Sequence, residues 1–210
     1  DKTGREVIPL IYDNAYSFSN GLAIVALNGK YGFIDETGRE VIPFKYDGAK
    51  AFSEGFARVL LNNKYGYIDT AGKEVIPFKY DFAYNFFEGF ARVVLNDKYG
   101  FIDKTGRELT PCKYNYANDF REGLATVKLN DKFGYIDKTG KEVIPLIYDY
   151  ASEFAAGLAS AELHGNWGYI DKQGNWRSYN KESWRLPESI TKITISDIRY
   201  MVNECIKRLI

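Results

Sequence analysis

Two rows of aspartates recur at a fixed spacing along the chain, and carboxylates stacked in rows can bind calcium. The first row is Asp35, Asp69, Asp103, Asp137 and Asp171, and the second is Asp47, Asp81 and Asp149. Each aspartate precedes a turn in which its carboxylate can accept hydrogen bonds from backbone N–H groups. The Gly- and Asp-rich nonapeptide of calcium-binding β-rolls is absent. The rows therefore predict turn capping rather than a metal site, and we expect no cofactor.

A nucleophilic pair of Cys112 and His164 is the other candidate for chemistry. His164 aligns with Asn-rich turn positions, which indicates a turn residue. Cys112 occupies a position that elsewhere holds apolar side chains, namely Leu10, Phe44, Phe78 and Leu146. This pattern indicates packing, and a catalytic pair also needs a third orienting group. Because the common enzyme motifs are absent as well, we expect that the protein is not an enzyme.

The composition narrows the possible partners. Lys plus Arg total 28 and Asp plus Glu total 28, so no net charge attracts nucleic acid. No apolar run is long enough for a membrane-spanning helix, which predicts a soluble chain with the cytoplasm as the favoured compartment. Aromatic residues make up 16% of the chain, mostly as Tyr and Phe, and this favours β structure.

A repeat of 34 residues organises the chain. A glycine that follows an aromatic residue marks the period at Gly32, Gly66, Gly100, Gly134 and Gly168. A proline keeps the same interval at Pro9, Pro43, Pro77, Pro111 and Pro145. No insertion interrupts the series, so neighbouring repeats are expected to meet through equivalent surfaces.

Each repeat is predicted to form a three-stranded β-meander. In the repeat that starts at Gly89, two β-prone runs flank Asn96-Asp97, which is a hairpin signal. A glycine turn then leads into a third strand, which proline is expected to end because it lacks an N–H group. The stretch from Pro77 to Gly89 is therefore interpreted as an irregular or short-strand connector. We predict an all-β tandem array of five such meanders, as an open superhelix or, alternatively, a closed propeller-like ring.

Period-2 alternation identifies the buried face. Small apolar pairs recur at Ala23/Val25, Ala57/Val59, Ala91/Val93, Ala125/Val127 and Ala159/Ala161, and they are predicted to face the core. A single meander cannot bury this face by itself. Stability is therefore expected to come from stacking of successive repeats.

These motifs resemble the bacterial WG-repeat family, also called KWG repeats. The resemblance rests on Lys30-Tyr31-Gly32-Phe33-Ile34-Asp35, Gly38-Arg39-Glu40-Val41-Ile42-Pro43, Tyr46-Asp47 and Phe52-Ser53-Glu54-Gly55-Phe56-Ala57-Arg58-Val59. The tryptophan usual in the aromatic-Gly pair occurs only as Trp167. The resemblance implies an all-β repeat module without assigned catalytic residues, for which a role in protein interaction is the usual inference.

The repeat pattern divides the chain into three parts. Residues 1–177 are assigned to the array, and 178–192 to a polar linker. Residues 193–210 place Ile198, Val202 and Leu209 on one face of a predicted amphipathic helix. This helix is interpreted as a cap on the array, and the alternative is an element that docks a partner.

Positions that vary between repeats are the candidates for binding. Six aromatic residues occupy connector positions that hold small or polar residues in other repeats: Tyr16, Phe82, Tyr84, Phe87, Tyr116 and Tyr150. We expect them to form a row of contact residues, with gap filling between repeats as the equally weighted alternative. The predicted function is a noncatalytic protein-interaction scaffold for a protein or peptide, with carbohydrate or cell-wall binding as the alternative.

Overall fold

The computed structural model describes residues 6–178, and all regular structure in this range is β. The predicted helix at 193–210 lies outside the described residues, as does the predicted linker after residue 178. The chain divides into two compact units, Asp1–Asp119 and Phe120–Ile210. No helix in the described range could cross a membrane.

The first unit contains three antiparallel four-stranded sheets and one further short strand. The first sheet has β1 (Asn14–Ala15), β2 (Leu22–Leu27), β3 (Lys30–Asp35) and β4 (Glu40–Tyr46). The second has β5 (Gly48–Ala49), β6 (Phe56–Leu61), β7 (Lys64–Asp69) and β8 (Glu74–Tyr80). The third has β9 (Phe82–Ala83), β10 (Phe90–Leu95), β11 (Lys98–Asp103) and β12 (Glu108–Tyr114), and β13 (Tyr116–Ala117) follows.

The second unit repeats the same strand pattern. Its strands are β14 (Leu124–Leu129), β15 (Lys132–Asp137), β16 (Glu142–Tyr148), β17 (Tyr150–Ala151), β18 (Leu158–Leu163), β19 (Asn166–Asp171) and β20 (Trp176–Ser178). Strand β20 pairs with β19, although its residues depart from the Glu-Val-Ile-Pro sequence usual at this position. The predicted array of β-meanders is confirmed, and the last repeat also forms a third strand, although it has only three residues.

The predicted hairpin in each repeat is confirmed by its register and turn geometry. Strands β6 and β7 pair without interruption up to Leu61 and Lys64. The two turn residues between them, Asn62 and Asn63, have φ values of 52° and 60°. Positive φ at both central positions defines the tight turn whose twist suits a hairpin, and asparagine tolerates it.

The connector adds a fourth strand to each meander. Phe82 and Ala83 of β9 pair with Val94 and Val93 of β10. The equivalent two-residue strands β5 and β17 pair in the same way in their own sheets. The connector residues are therefore held in a fixed register beside the central hairpin.

The expectation that proline ends the third strand is wrong. Pro77 lies inside β8, which is an edge strand of its sheet, where a missing N–H group is tolerated. The register jumps here, because Tyr65 pairs with Tyr80 whereas Tyr67 pairs with Ile76. The strand bulges around Pro77 and pairs again at its end.

The bulge explains the glycine of the aromatic-Gly pair. A Cβ atom added at Gly66 would lie 2.7 Å from the carbonyl oxygen of Ile76 and 3.1 Å from the amide nitrogen of Phe78. Real Cβ atoms do not approach backbone this closely, so only glycine fits opposite the bulge.

The buried face lies where the alternation predicts it. Ala57 and Val59 are both fully buried, and the equivalent pairs in the other repeats are at most 2% exposed. The intervening position is covered too, since Ile24 and Thr126 are buried and Arg58 is half-buried. Neither side of this strand is fully open to solvent.

Each hydrophobic cluster draws residues from two successive repeats. One cluster combines Tyr67 and Ile76 from the second sheet with Phe86, Val93 and Ile102, which follow it along the chain. The other clusters in the two units are built in the same way. Because a repeat obtains part of its core from its neighbour, the stacking expected from the sequence is confirmed within each unit.

Candidate binding surface

The first row of aspartates caps turns, as predicted. The carboxylate of Asp103 accepts hydrogen bonds from the backbone N–H groups of Thr105 at 2.9 Å and Arg107 at 3.1 Å. The Thr105 hydroxyl also donates to it, at 2.6 Å. These bonds, led by that hydroxyl, lower the pKa of Asp103 to about 2.

Each aspartate of the second row accepts hydrogen bonds from two places, the lysine that recurs before the aromatic-Gly pair and the backbone of the next hairpin turn. Lys30 donates to Oδ1 of Asp47 at 2.5 Å, and the N–H group of Asn62 donates to Oδ2 at 2.9 Å. The Lys30 bond is the main cause of the lowered pKa of Asp47. The carboxylates of both rows are therefore engaged with protein donors. No group of three or more His, Cys, Asp or Glu residues within 6–178 could hold a metal ion.

Cys112 and His164 have the structural roles that the sequence predicts. Cys112 packs against Gly100, and burial raises the pKa of its thiol, which disfavours the nucleophilic thiolate. His164 lies in an exposed hairpin turn with φ of 51°, and its N–H group donates to Asp149 at 2.7 Å.

Aromatic rings form a continuous row in the first unit, which we call the aromatic row: Tyr65, Phe82, Tyr84, Tyr99 and Tyr116. Successive ring centroids in this row are 5.0, 5.0, 6.4 and 5.9 Å apart. Three of its rings, Phe82, Tyr84 and Tyr116, come from the connector positions that the sequence singled out. The structure therefore brings these three predicted residues together.

The other predicted residues lie apart from this row. Tyr16 is 53% exposed and hydrogen-bonds to Tyr31. Phe87 is half-buried in the turn that it forms with Phe90. Tyr150 lies in the second unit between Phe133 and Trp167, with centroid distances of 5.7 and 5.5 Å.

Exposure differs along the aromatic row. Tyr116 is 38% exposed, whereas Phe82 and Tyr84 are half-buried. The Tyr116 hydroxyl donates to Asn118 at 2.6 Å, so its ring is held in place while part of the side chain stays exposed. The row combines rings that pack between repeats with rings that solvent reaches.

Two arginines insert between the rings. The Arg58 guanidinium lies 5.0 Å from the centroid of Phe82, and that of Arg92 lies 3.8 Å from Tyr84. Each one also donates to a backbone carbonyl of the next repeat, Arg58 to Ala83 and Arg92 to Ala117. Stacking of a guanidinium on a ring face is favourable, and here it also fixes the ring.

A buried tyrosine hydroxyl holds the backbone of the connector in place. The Tyr67 hydroxyl donates to the backbone carbonyl of Tyr84 at 2.5 Å, and Tyr135 makes the same contact with Ser152 at 2.6 Å. Burial raises the pKa of both tyrosines, so both keep their protons. The connector therefore has a rigid backbone on which to present Tyr84.

Sequence reasoning missed the aromatic residue that precedes the repeated glycine. Tyr65 and Tyr99 are members of the aromatic row, and Trp167 is 41% exposed beside Tyr150. Their strict recurrence indicated a packing role. No local signal identifies them, because Tyr65 contacts Phe82 and Tyr99 contacts Tyr116, in each case in the connector strand of the following sheet.

Several solved structures are similar to this chain at low sequence identity. A eukaryotic initiation factor is 11% identical with a TM-score of 0.51, and the match covers 83% of this chain and 57% of that one. Hsv2 of Kluyveromyces lactis is 9% identical with a TM-score of 0.45, and the match covers 76% of this chain and 60% of that one. The extracellular domain of BT4673 from B. thetaiotaomicron is 14% identical with a TM-score of 0.41, and the match covers 84% of this chain and 30% of that one. The chain thus spans three fifths or less of these proteins, and the likeness concerns the fold alone. A comparison with curated proteins gives no match.

A family model described as "WG containing repeat" matches the chain six times in succession. The matches cover residues 1–31, 31–65, 65–99, 99–133, 133–167 and 167–178. They follow the same period as the glycine opposite the bulge and the lysine that pairs with the second aspartate row. The chain therefore belongs to the WG containing repeat family.

Proposed function

We propose that this array is a noncatalytic protein-interaction domain that binds a protein or peptide segment along the aromatic row. The observation that carries the proposal is the continuous series of rings from Tyr65 to Tyr116, which crosses two successive repeats and includes an exposed member. Tyrosine and arginine are enriched among the residues that dominate binding energy at protein interfaces.

The rigidity of the row supports a recognition role. Phe82 lies in a paired strand, and the Tyr84 backbone is fixed by the Tyr67 hydroxyl. Arg92 covers one side of the Tyr84 ring. Side chains that are ordered before a ligand arrives lose less conformational entropy on binding, so such a surface binds more tightly than a mobile one.

The absence of catalysis is part of the same proposal. The aspartate rows are engaged in turn and lysine contacts, which leaves little carboxylate capacity for proton transfer. Burial keeps the Cys112 thiol protonated, which removes the strongest nucleophile of the described residues from use.

A binding screen with matched variants tests the proposal. We expect the protein to bind members of a peptide array, and Tyr116→Ala to reduce this binding with little change in melting temperature. Tyr84→Ala is expected to reduce both, because the Tyr84 ring packs on Arg92 and on two other rings. Ile147→Ala, at an exposed apolar position outside the row, is the control.

Carbohydrate binding is the outcome that would replace this proposal. Flat exposed rings also stack on sugars, so the same proteins are applied to a glycan array. Binding to glycans without binding to peptides, with the same loss in Tyr116→Ala, would assign the row to a carbohydrate module. Peptide binding that is insensitive to both tyrosine variants would place the interaction elsewhere on the surface.

A further inference from the structure

Arg58 and Arg92 occupy the same repeat position but differ in one hydrogen bond. The Nε atom of Arg92 donates to the carboxylate of Asp119 at 2.7 Å, in an ion pair whose arginine side chain is only 11% exposed. The Nε atom of Arg58 is buried and has no hydrogen-bond partner. Arg58 also forms no ion pair with any residue in the described range 6–178.

A single residue accounts for the difference. Asn85 occupies the repeat position that Asp119 holds beside Arg92, and its side chain is exposed. Both guanidinium groups donate to the carbonyl of the equivalent alanine in the following repeat. Both also lie near an aromatic ring, but the rings occupy different repeat positions, namely Phe82 beside Arg58 and Tyr84 beside Arg92. Arg58 therefore retains the carbonyl contact and an aromatic neighbour but lacks the carboxylate.

A partly buried guanidinium without an anion is energetically unfavourable. Moving a charge out of water costs free energy unless the group is paired and hydrogen-bonded, and an unsatisfied donor adds to this cost. The rings of Phe82 and Tyr65 offset part of it. A carboxylate supplied by a ligand would offset the remainder and form a charge-assisted hydrogen bond.

We propose that Arg58 is an anchor for an acidic peptide, whose Asp or Glu carboxylate binds where Asp119 binds beside Arg92. This inference rests on the proposed function, because it specifies the chemistry of a partner for the aromatic row. The carboxylate would take the place beside Asn85 that Asp119 takes beside Arg92, where Asp119 remains 31% exposed. Because the Nε atom of Arg58 is buried in the free protein, the side chains that cover it must move aside when the peptide binds.

The structure favours a peptide as the source of this carboxylate. The ligand that satisfies Arg92 is itself a short stretch of extended chain, in which the acidic residue Asp119 lies two residues after the strand Tyr116–Ala117. A peptide with an acidic residue and a neighbouring aromatic residue would reproduce this contact. Its aromatic side chain would lie against the rings of Phe82 and Tyr84.

The test compares short peptides that carry one Asp or Glu among Ala, Phe and Tyr with twins that carry Asn or Gln instead. The wild-type protein is expected to prefer the acidic member of each pair by at least about tenfold, the value of one charge-assisted hydrogen bond. Arg58→Gln should remove the preference but keep the weaker binding that the rings provide.

Two further variants separate recognition from folding. Asn85→Asp retains Arg58 and supplies an internal carboxylate, so the preference for acidic peptides should disappear while the protein becomes more stable. Adding Asp119→Asn to Asn85→Asp deprives Arg92 of its carboxylate, and the acid preference should return one repeat further along the chain.

The outcomes separate this inference from the proposed function. Equal binding of acidic and neutral twins would overturn the role of Arg58 and leave the aromatic row as a peptide site. Binding of no peptide at all would overturn both proposals. Selective binding of a uronic-acid glycan, lost in Asn85→Asp, would retain the anion site but refute a peptide as its ligand.

Discussion

The ring of Phe86, in the connector between β9 and β10, packs edge-on against the ring of Tyr67 in β7 of the preceding sheet, with 5.0 Å between their centroids. Phe86 is 1% exposed, and its partner is fully buried. The same pair recurs as Phe33 with Phe52 at 5.1 Å. This contact joins one repeat to the next in the first unit.

Replacing Phe86 should show how much the contact between repeats stabilises the fold. Phe86→Ala is expected to lower the free energy of unfolding by about 3–5 kcal/mol, because it leaves a cavity between two sheets. Phe18 occupies the same repeat position but is 42% exposed, so Phe18→Ala should cost only about 1 kcal/mol. Urea denaturation followed by circular dichroism measures both. Equal losses would show that stacking is not what buries Phe86.

The close approach at Gly66 makes a second prediction. Gly66→Ala should destabilise the protein by about 3 kcal/mol, because the new Cβ would clash with the backbone of the bulged strand. Gly48→Ala is the control, since its Cβ would meet only the Leu60 side chain, at an ordinary 3.5 Å. We expect the control to change the urea midpoint little. A tolerated Gly66→Ala would mean that the bulge can move away.

A buried hydroxyl without a partner offers a stabilising substitution. Thr110 is 4% exposed, and its Oγ1 atom has no hydrogen-bond partner, whereas the four other repeats have isoleucine here. Thr110→Val should raise the free energy of unfolding by about 1 kcal/mol. Thr126→Val should lower it by a similar amount, because Thr126 donates to the Ser152 carbonyl at 3.1 Å. A thermal melt of the two variants should show shifts of opposite sign.

Acid should weaken the turns that Asp103 caps. The pKa of Asp103 is about 2 in the folded protein and close to 4 in an unfolded chain. A lowered folded-state pKa contributes stability that is fully present above the unfolded value and is lost as the pH falls through about 2. Thr105→Val removes the main cause of the lowering, so the carboxyl of Asp103 should titrate at higher pH by NMR. An unchanged titration would assign the lowering to the backbone donors and to the Arg107 side chain, whose Nε atom donates to Asp103 at 2.9 Å.

The strands and the buried face were predictable because their causes are local. Alternation in Ala57-Arg58-Val59, together with the left-handed turn at Asn62, specifies a hairpin with one inward face. The third strand was predicted to end too early. Whether proline interrupts a ladder depends on the position of the strand in the sheet, and no local pattern encodes that Pro77 lies on an edge.

The aromatic row was harder to predict from the sequence, because it depends on contacts between repeats. Alternation alone suggests that Arg92 points into solvent, whereas it lies between Tyr84 and Asp119, which follows it by 27 positions. The contribution of Tyr99 was missed for the same reason. Variation among repeats did identify Tyr84 and Tyr116, since a fixed scaffold varies chiefly where surface chemistry is free to change.

The hydrogen-bond acceptors of the Arg92 side chain, Asp119 and the Ala117 carbonyl, both belong to the following repeat. Exchange of whole repeats by gene duplication or recombination would leave the residues within each repeat unchanged. It would, however, place a different repeat after each arginine. Two chains assembled from identical repeats in different orders would therefore differ in which arginines have a carboxylate partner. In such a protein, the order of the repeats alone can change the ion pairs on the surface without any point mutation.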